Sequence, residues 1–276
     1  MTGADGFTGR FVKAALRERG LDCISWSADL SDPEAIEREV RATEFDHVIH
    51  LAAKAFVDTV DWEGFYHVNQ IGTFRLLNSV AKYRPGARCL LASSAQVYGP
   101  GAAGLIEESS NTNPGNHYAI SKFAMEQGAA LWGDKLEIVV ARPFNYTGVG
   151  QSTDYLLPKI VDHFRRGAPV IELGNTWVQR DFGDVRAVAE AYAGLISVKK
   201  VTALVNIATG RVWAIDEVLE ILANLAGYEI EVQVNPAFVR PNDVPVLGGD
   251  ISRLCEILPD WQPCNLAETL RWMYLS

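Results

Sequence analysis

The sequence predicts an α/β fold built on a doubly wound parallel sheet, and three features point there. Short apolar runs alternate with helical patterns along much of the chain, the signature of repeated βαβ units. The runs at 47–52 and 88–93 close on small residues, as strands do when they deliver loops to one sheet edge. A glycine cluster, Gly3, Gly6 and Gly9, opens the first helical pattern. That helix begins near Phe7 and ends at Gly20, and Leu21–Trp26 reads as the strand after it. Strands follow at 47–52, 88–93, 136–142 and 203–208, and apolar spacing places helices at 65–82, 116–132, 154–166, 184–197 and 214–226. Regular alternation loosens near residue 150. Residues 1–150 are therefore read as the main sheet unit, with the strand near 203–208 returning to it. Residues 151–276 are read mainly as a smaller substrate-binding part.

One element is missing from this pattern. The strand before the first glycine should be central and buried on both faces, yet only Met1 and Thr2 precede Gly3. The expectation is a truncated or misassigned start, with unpaired backbone groups on two inner strands and a weakened site beside them.

Composition narrows the function classes. The chain has 276 residues, 48% of them hydrophobic and 21% charged, enough for a sizeable core. A net charge of −9 argues against nucleic acid as a partner. Cysteines 23, 89, 255 and 264 are scattered, without metal-ligand spacing, so free thiols in a reducing cytoplasm and no metal are expected. No signal peptide and no bilayer-length apolar run is present.

Two motifs carry chemistry. In Thr2-Gly3-x-x-Gly6-Phe7-x-Gly9 the glycines let backbone approach a pyrophosphate, and the helix N-terminus presents its free amides to it. In Tyr118-x-x-x-Lys122 the phenol and ammonium share one helix face, and the cation is expected to lower the tyrosine pKa. Ser94 ends a strand 24 residues upstream, placed to hydrogen-bond the same substrate oxygen.

Together these motifs resemble the extended short-chain dehydrogenase/reductase family, a Rossmann-like fold, over nearly the full length. Val48–Lys54, Val68–Phe74, Ala141–Asn145 and Arg180–Phe182 add to the likeness. The resemblance implies a catalytic triad of Ser94, Tyr118 and Lys122. It places cofactor contacts at Gly3, Gly6, Phe7, Gly9, Asp29, Leu30, Leu51, Ala52, Ala53, Lys54, Tyr118 and Lys122, the last at the nicotinamide ribose, with Pro143 beside the nicotinamide and Asn69 supporting the helix beneath the site. It also implies a homodimer through the helices at 65–82 and 116–132. No acid follows the second strand at Ser25-Trp26-Ser27 to hold a ribose 2′-OH. Arg10 could instead meet a 2′-phosphate, so NADP(H) is favoured slightly over NAD(H).

Within the family the pattern most resembles the reductases of GDP-4-keto-6-deoxy-D-mannose, through Val239–Pro245, Gly249–Leu254 and Trp261–Pro263 among other segments. A 4,6-dehydratase would place acidic residues after the strand-end serine, where this chain has Ala95 and Gln96. The implied ligand is a nucleotide-diphosphate sugar, contacted by Ser94, Ala95 and Asn145. Arg180 and Arg240 are candidates to clamp the diphosphate, and Lys159 and Asp243 to contact base or ribose. Two other readings stay open: a 4-epimerase holding NAD+ tightly, and a non-catalytic nucleotide-binding member.

Overall fold

The computed structural model describes residues 1–55, 61–199, 201, 203–239 and 245–276. The first half of the chain forms helices α1 (Phe7–Glu18) and α2 (Pro33–Ala42), strand β1 (His47–His50), helices α3 (Glu63–Phe65) and α4 (Thr73–Tyr83), strands β2 (Arg88–Ala92) and β3 (Gly104–Ile106), helix α5 (His117–Ala129) and strand β4 (Glu137–Pro143). A π-helical stretch, Tyr66–Gly72, joins α3 to α4. Then come β5 (Asn145–Thr147), α6 (Leu156–Arg165), β6 (Val170–Leu173), β7 (Gln179–Arg180), β8 (Phe182–Asp184), α7 (Val185–Ser197) and β9 (Ala203–Ile207). The chain closes with β10 (Trp213–Ala214), α8 (Ile215–Ala226), β11 (Glu231–Val234), β12 (Val246–Gly249), α9 (Ser252–Ile257) and α10 (Leu266–Leu275).

The main sheet has the order β1-β2-β4-β9, with every pair parallel. Successive strand residues point to opposite faces, and the two faces bury different helices. Ile49, Leu90, Val139 and Ala141 pack with α1 and α7. Their alternates Val48, Cys89, Leu91, Ile138 and Val140 pack with α2, α4 and α5. Burial on both faces explains why these strands read as unbroken apolar runs. Residues of α6, α8 and α10 build a separate core with β6 and β8. A second sheet, β10-β7-β12-β3, draws strands from both halves of the chain.

At the missing first strand the structure differs from expectation. Thr2 bridges both Trp26 and His50 in parallel. Its amide donates to Ile49 O at 3.1 Å, Trp26 N donates to Met1 O at 2.8 Å, and the N-terminal ammonium donates to Ile24 O at 2.6 Å. The two inner neighbours are thus joined where they meet the glycine loop. Leu21–Ser25 forms no strand, because a ladder needs a partner of matching length and only Met1 and Thr2 lie beside this segment. Several short elements escaped the sequence reading. Helix α2 buries only Ile36 and Val40, and half of its ten residues are charged; it is set by Pro33 and by Asp32, whose side chain caps Glu34 N and Ala35 N.

Candidate active site

The glycine loop is shaped by close contact. Gly3 has φ +64°, and a Cβ there would come within 2.7 Å of Ala52 N; one on Gly9 would come within 2.5 Å of Ala4 O. Helix α1 starts at Gly6 with no side-chain cap and no acid in its first turn. Its leading amides therefore keep their donors for an anion. This bare helix start against close-pressed glycines fits the pyrophosphate of a dinucleotide. Phe7 stacks on Tyr146 at 6.2 Å, and Thr8 Oγ1 lies 2.8 Å from the Tyr146 hydroxyl.

Arg10 is exposed on the first turn of α1; its Nη2 donates to Val149 O at 3.1 Å, and its guanidinium lies 5.8 Å and 5.5 Å from the Phe7 and Phe11 rings. Glu39 of α2 reaches the backbone after Trp26, accepting from Ser27 N at 3.3 Å and Ala28 N at 2.9 Å; sequence reasoning passed over it because it arrives from a helix that was not foreseen. Asp29 turns its carboxylate to Ser31 N, which lowers its pKa, and Leu30 is buried against Gly72.

Beyond β1, Leu51 N donates to Thr2 O and Ala52 N to Thr2 Oγ1. Ala53 follows in the same extended segment, and Lys54 pairs with Asp61. Asn69, buried in the π-helical stretch, accepts from Lys54 N at 2.8 Å and donates to Lys54 O and Ser121 Oγ, both at 3.0 Å. Ser121 Oγ donates in turn to Tyr118 O, which links Asn69 to the helix of Tyr118. His50 ties this network to the glycine loop. Thr73 Oγ1 donates to Asn69 O at 2.7 Å and so accepts from His50 Nε2 at 2.9 Å. That leaves His50 Nδ1 to accept from Thr2 Oγ1 at 2.7 Å. Every hydrogen in the chain is assigned by a neutral imidazole, and burial pushes the His50 pKa down to about 3.

Ser94, Tyr118 and Lys122 come together at the end of β2. Ser94 is buried near Tyr118 and caps the turn Ala95–Tyr98 by accepting from Gln96 N at 3.2 Å. Ala95 is buried beside it. Tyr118 is buried, packed edge-on to Phe65 at 6.0 Å. Burial raises its pKa, opposed by the neighbouring Ser94 hydroxyl. The expected lowering by Lys122 is not what this structure contains. Lys122 Nζ donates instead to Ala92 O at 2.7 Å, and burial lowers its own pKa to about 8 against the pull of Glu126. Glu126, one turn farther along α5, is held by Arg142 at 2.9 Å and 2.6 Å and by Ser93 Oγ. Pro143 ends β4 opposite Ile207.

The substrate candidates are more dispersed. Asn145 opens β5 and is exposed, lining a small cavity with Gly183, Ala208 and Thr209. Arg180 lies on β7 and donates to Gln179 O at 2.8 Å. Its neighbour Asp181, fully buried, accepts from Thr209 N at 2.9 Å, Thr209 Oγ1 at 2.9 Å and Gly210 N at 3.1 Å. Burial still pushes its pKa up to about 6. Lys159 donates to Glu172 O at 2.8 Å and sits 4.6 Å above the Phe238 ring. Arg240 and Asp243 lie outside the described residues. Among the described residues, no helix is long and apolar enough to cross a membrane.

Comparisons with known proteins agree with this geometry. The family model for GDP-mannose 4,6 dehydratase matches residues 15–273. A GDP-6-deoxy-D-talose 4-dehydrogenase of Aggregatibacter actinomycetemcomitans is 33% identical over 99% of this chain and 96% of its own length. A GDP-6-deoxy-D-mannose reductase of Pseudomonas aeruginosa is 31% identical over 98% and 94%. Among solved structures, RMD from Pseudomonas aeruginosa complexed with NADPH superposes with a TM-score of 0.88 at 30% identity, covering 99% of this chain and 94% of that one. The UDP-glucose 4-epimerase of Thermus thermophilus in complex with NAD gives 0.85 at 28% identity, covering 99% and 96%. The chain belongs to the GDP-mannose 4,6-dehydratase family of NAD(P)-dependent extended short-chain dehydrogenase/reductases.

Proposed function

We propose that this chain reduces the C4 ketone of a nucleotide-linked 4-keto-6-deoxy sugar, GDP-4-keto-6-deoxy-D-mannose, at the expense of NAD(P)H. The carrying observation is a Tyr118 whose burial favours the neutral phenol, with Ser94 buried near it and Ala95 and Gln96 following that serine. That arrangement offers a proton to a ketone oxygen, while neither Ala95 nor Gln96 can remove a C5 proton as dehydration requires. The names of the two curated relatives support the same substrate class.

The reduced nicotinamide cofactor supplies the hydride that adds to C4. Tyr118 donates its phenolic proton to the C4 oxygen as charge develops there, and Ser94 hydrogen-bonds that oxygen. Burial suits Tyr118 to this direction, because it keeps the phenol neutral until the proton is needed. Lys122, one turn along α5 and anchored on Ala92 O, is assigned to the nicotinamide ribose and to the return of a proton to Tyr118. Asn145 and Arg180 are assigned to the sugar and diphosphate, with Arg240 completing the clamp and Lys159 and Asp243 at the base or ribose. Residues 151–276 are assigned mainly to the sugar nucleotide. A homodimer through the helices at 65–82 and 116–132 belongs to the same reading; Ile71, in the π-helical stretch before α4, and Ile120 of α5 are each 39% exposed.

The test follows loss of reduced-cofactor absorbance with GDP-4-keto-6-deoxy-D-mannose formed in situ by a 4,6-dehydratase. Oxidation by the wild type but not by Tyr118→Phe supports the reading; no oxidation by folded wild type contradicts it. The likeness to the NAD-bound 4-epimerase favours one alternative, which purified protein retaining NAD+ and inverting a UDP-hexose would establish.

A further inference from the structure

We propose that Glu126, clamped by Arg142 and Ser93, is a positioning residue that acts through Lys122 and holds its ammonium in the charged form. The proposal rests on the reduction assigned above, in which Lys122 serves the nicotinamide ribose and returns a proton to Tyr118. An ammonium carries three donor hydrogens, and Ala92 O takes one of them at 2.7 Å. Two remain for the two tasks. The neutral amine would keep only one, so the pair of tasks depends on the charge.

The end of β2 and one face of α5 bring the two charges together. Side chains four residues apart on a helix lie one above the other, and Lys122 and Glu126 are so spaced on α5. Lys122 reaches Ala92 O, while Glu126 accepts from Ser93 Oγ, the next residue of the chain. Adjacent residues at one strand end thus receive the ammonium and the carboxylate. Lys122 and Glu126 are both buried, where little water lies between them to screen the attraction.

Glu126 is fixed from its far side as well. Arg142 Nε and Nη2 donate to its two oxygens at 2.9 Å and 2.6 Å, a fork that sets a carboxylate's position as well as pairing its charge. The Arg142 guanidinium lies 4.7 Å from the Tyr98 ring, and the Tyr98 hydroxyl donates to Asn206 Oδ1 at 2.7 Å. The other titratable groups near Lys122 supply no negative field. Burial, and then Lys122 itself, lowers the pKa of His50 on β1, and burial favours the neutral phenol of Tyr118 on α5. Arg142 of β4 is a cation engaged by Glu126. Burial lowers the Lys122 pKa to about 8, and among the described residues Glu126 is the anion that opposes this fall.

The test is an NMR titration of the ligand-free protein carrying isotope-labelled lysine, read at the Lys122 Cε signal, which Lys122→Met identifies by its loss. The wild-type midpoint is expected near 8, and Glu126→Gln should lower it by about one unit. That variant leaves Arg142 unpaired in the core. Glu126→Gln/Arg142→Met therefore serves beside it, lacking the same anion without the stray cation, and its midpoint should fall in the same direction. In reduction of the 4-keto sugar, the alkaline fall of kcat/KM marks loss of the Lys122 proton and should move to lower pH with the midpoint. A midpoint or an alkaline limb that stays in place in folded variants overturns the proposal. Wild type that shows no turnover while the midpoint still moves contradicts the reduction reading and leaves the hold of Glu126 on Lys122 standing.

Discussion

Tyr118 and Lys122 are displaced in opposite directions by the same cause. Burial disfavours the charged form of each, so the phenol pKa rises and the ammonium pKa falls to about 8. Tyr118 is thereby kept as an acid, and Lys122 stands close enough to neutral pH to exchange a proton. Tyr118→Phe removes the donor while keeping the ring against Phe65. Turnover should fall by about 10²–10⁴ with cofactor affinity unchanged, read by steady-state rates beside equilibrium titration; retained turnover would remove Tyr118 from the chemistry. These two residues were legible in the sequence because their i and i+4 spacing fixes a shared face. Their hydrogen-bond partners were not. The spacing suggests a Lys122–Tyr118 couple, whereas Ala92 O, delivered by β2, takes the ammonium.

Helix α5 shows how one element organises the site. Tyr118, Lys122 and Glu126 follow at four-residue steps, and the last is locked in the core by Arg142. Removing one member of a buried ion pair leaves an uncompensated charge. Arg142→Met should therefore cost about 3–5 kcal/mol in urea unfolding, and the double variant Glu126→Gln/Arg142→Met should recover much of the loss. Equal losses in both variants would show that the pairing itself is not what stabilises this site. The long, two-face-buried strands and amphipathic helices were legible because their periodicity persists over many residues. The two-residue strands β7 and β10 lack the length for such a signal. The reverse error occurred at Leu21–Trp26, where apolar, β-branched composition reads as a strand but too little backbone lies alongside to pair with it. Helix α2 was hidden by its charge, and with it Glu39.

Across the whole molecule, two buried groups oppose each other in acid. His50 titrates at about 3 instead of 6.5, so the unfolded chain binds more protons between those values and stability falls as pH drops through them, by about 5 kcal/mol. Asp181 titrates at about 6 instead of 3.8. There the folded chain binds the extra proton, and stability rises as pH drops through that window, by about 3 kcal/mol. The net acid loss should therefore steepen in Asp181→Asn, seen as a larger slope of unfolding free energy between about pH 6 and pH 4; an unchanged slope would mean Asp181 carries no such shift. Both groups tie parts of the site together, His50 the glycine loop to the helix of Asn69, and Asp181 the Arg180 strand to the turn at Thr209. The central claim is a hydride delivered from the reduced cofactor to a sugar C4, and a deuterium label reads it most directly. With cofactor carrying deuterium at its transferable C4 position and GDP-4-keto-6-deoxy-D-mannose as acceptor, product NMR should show deuterium at sugar C4 in wild type and none with Tyr118→Phe. Wild-type protein that leaves the label on the cofactor would contradict the account.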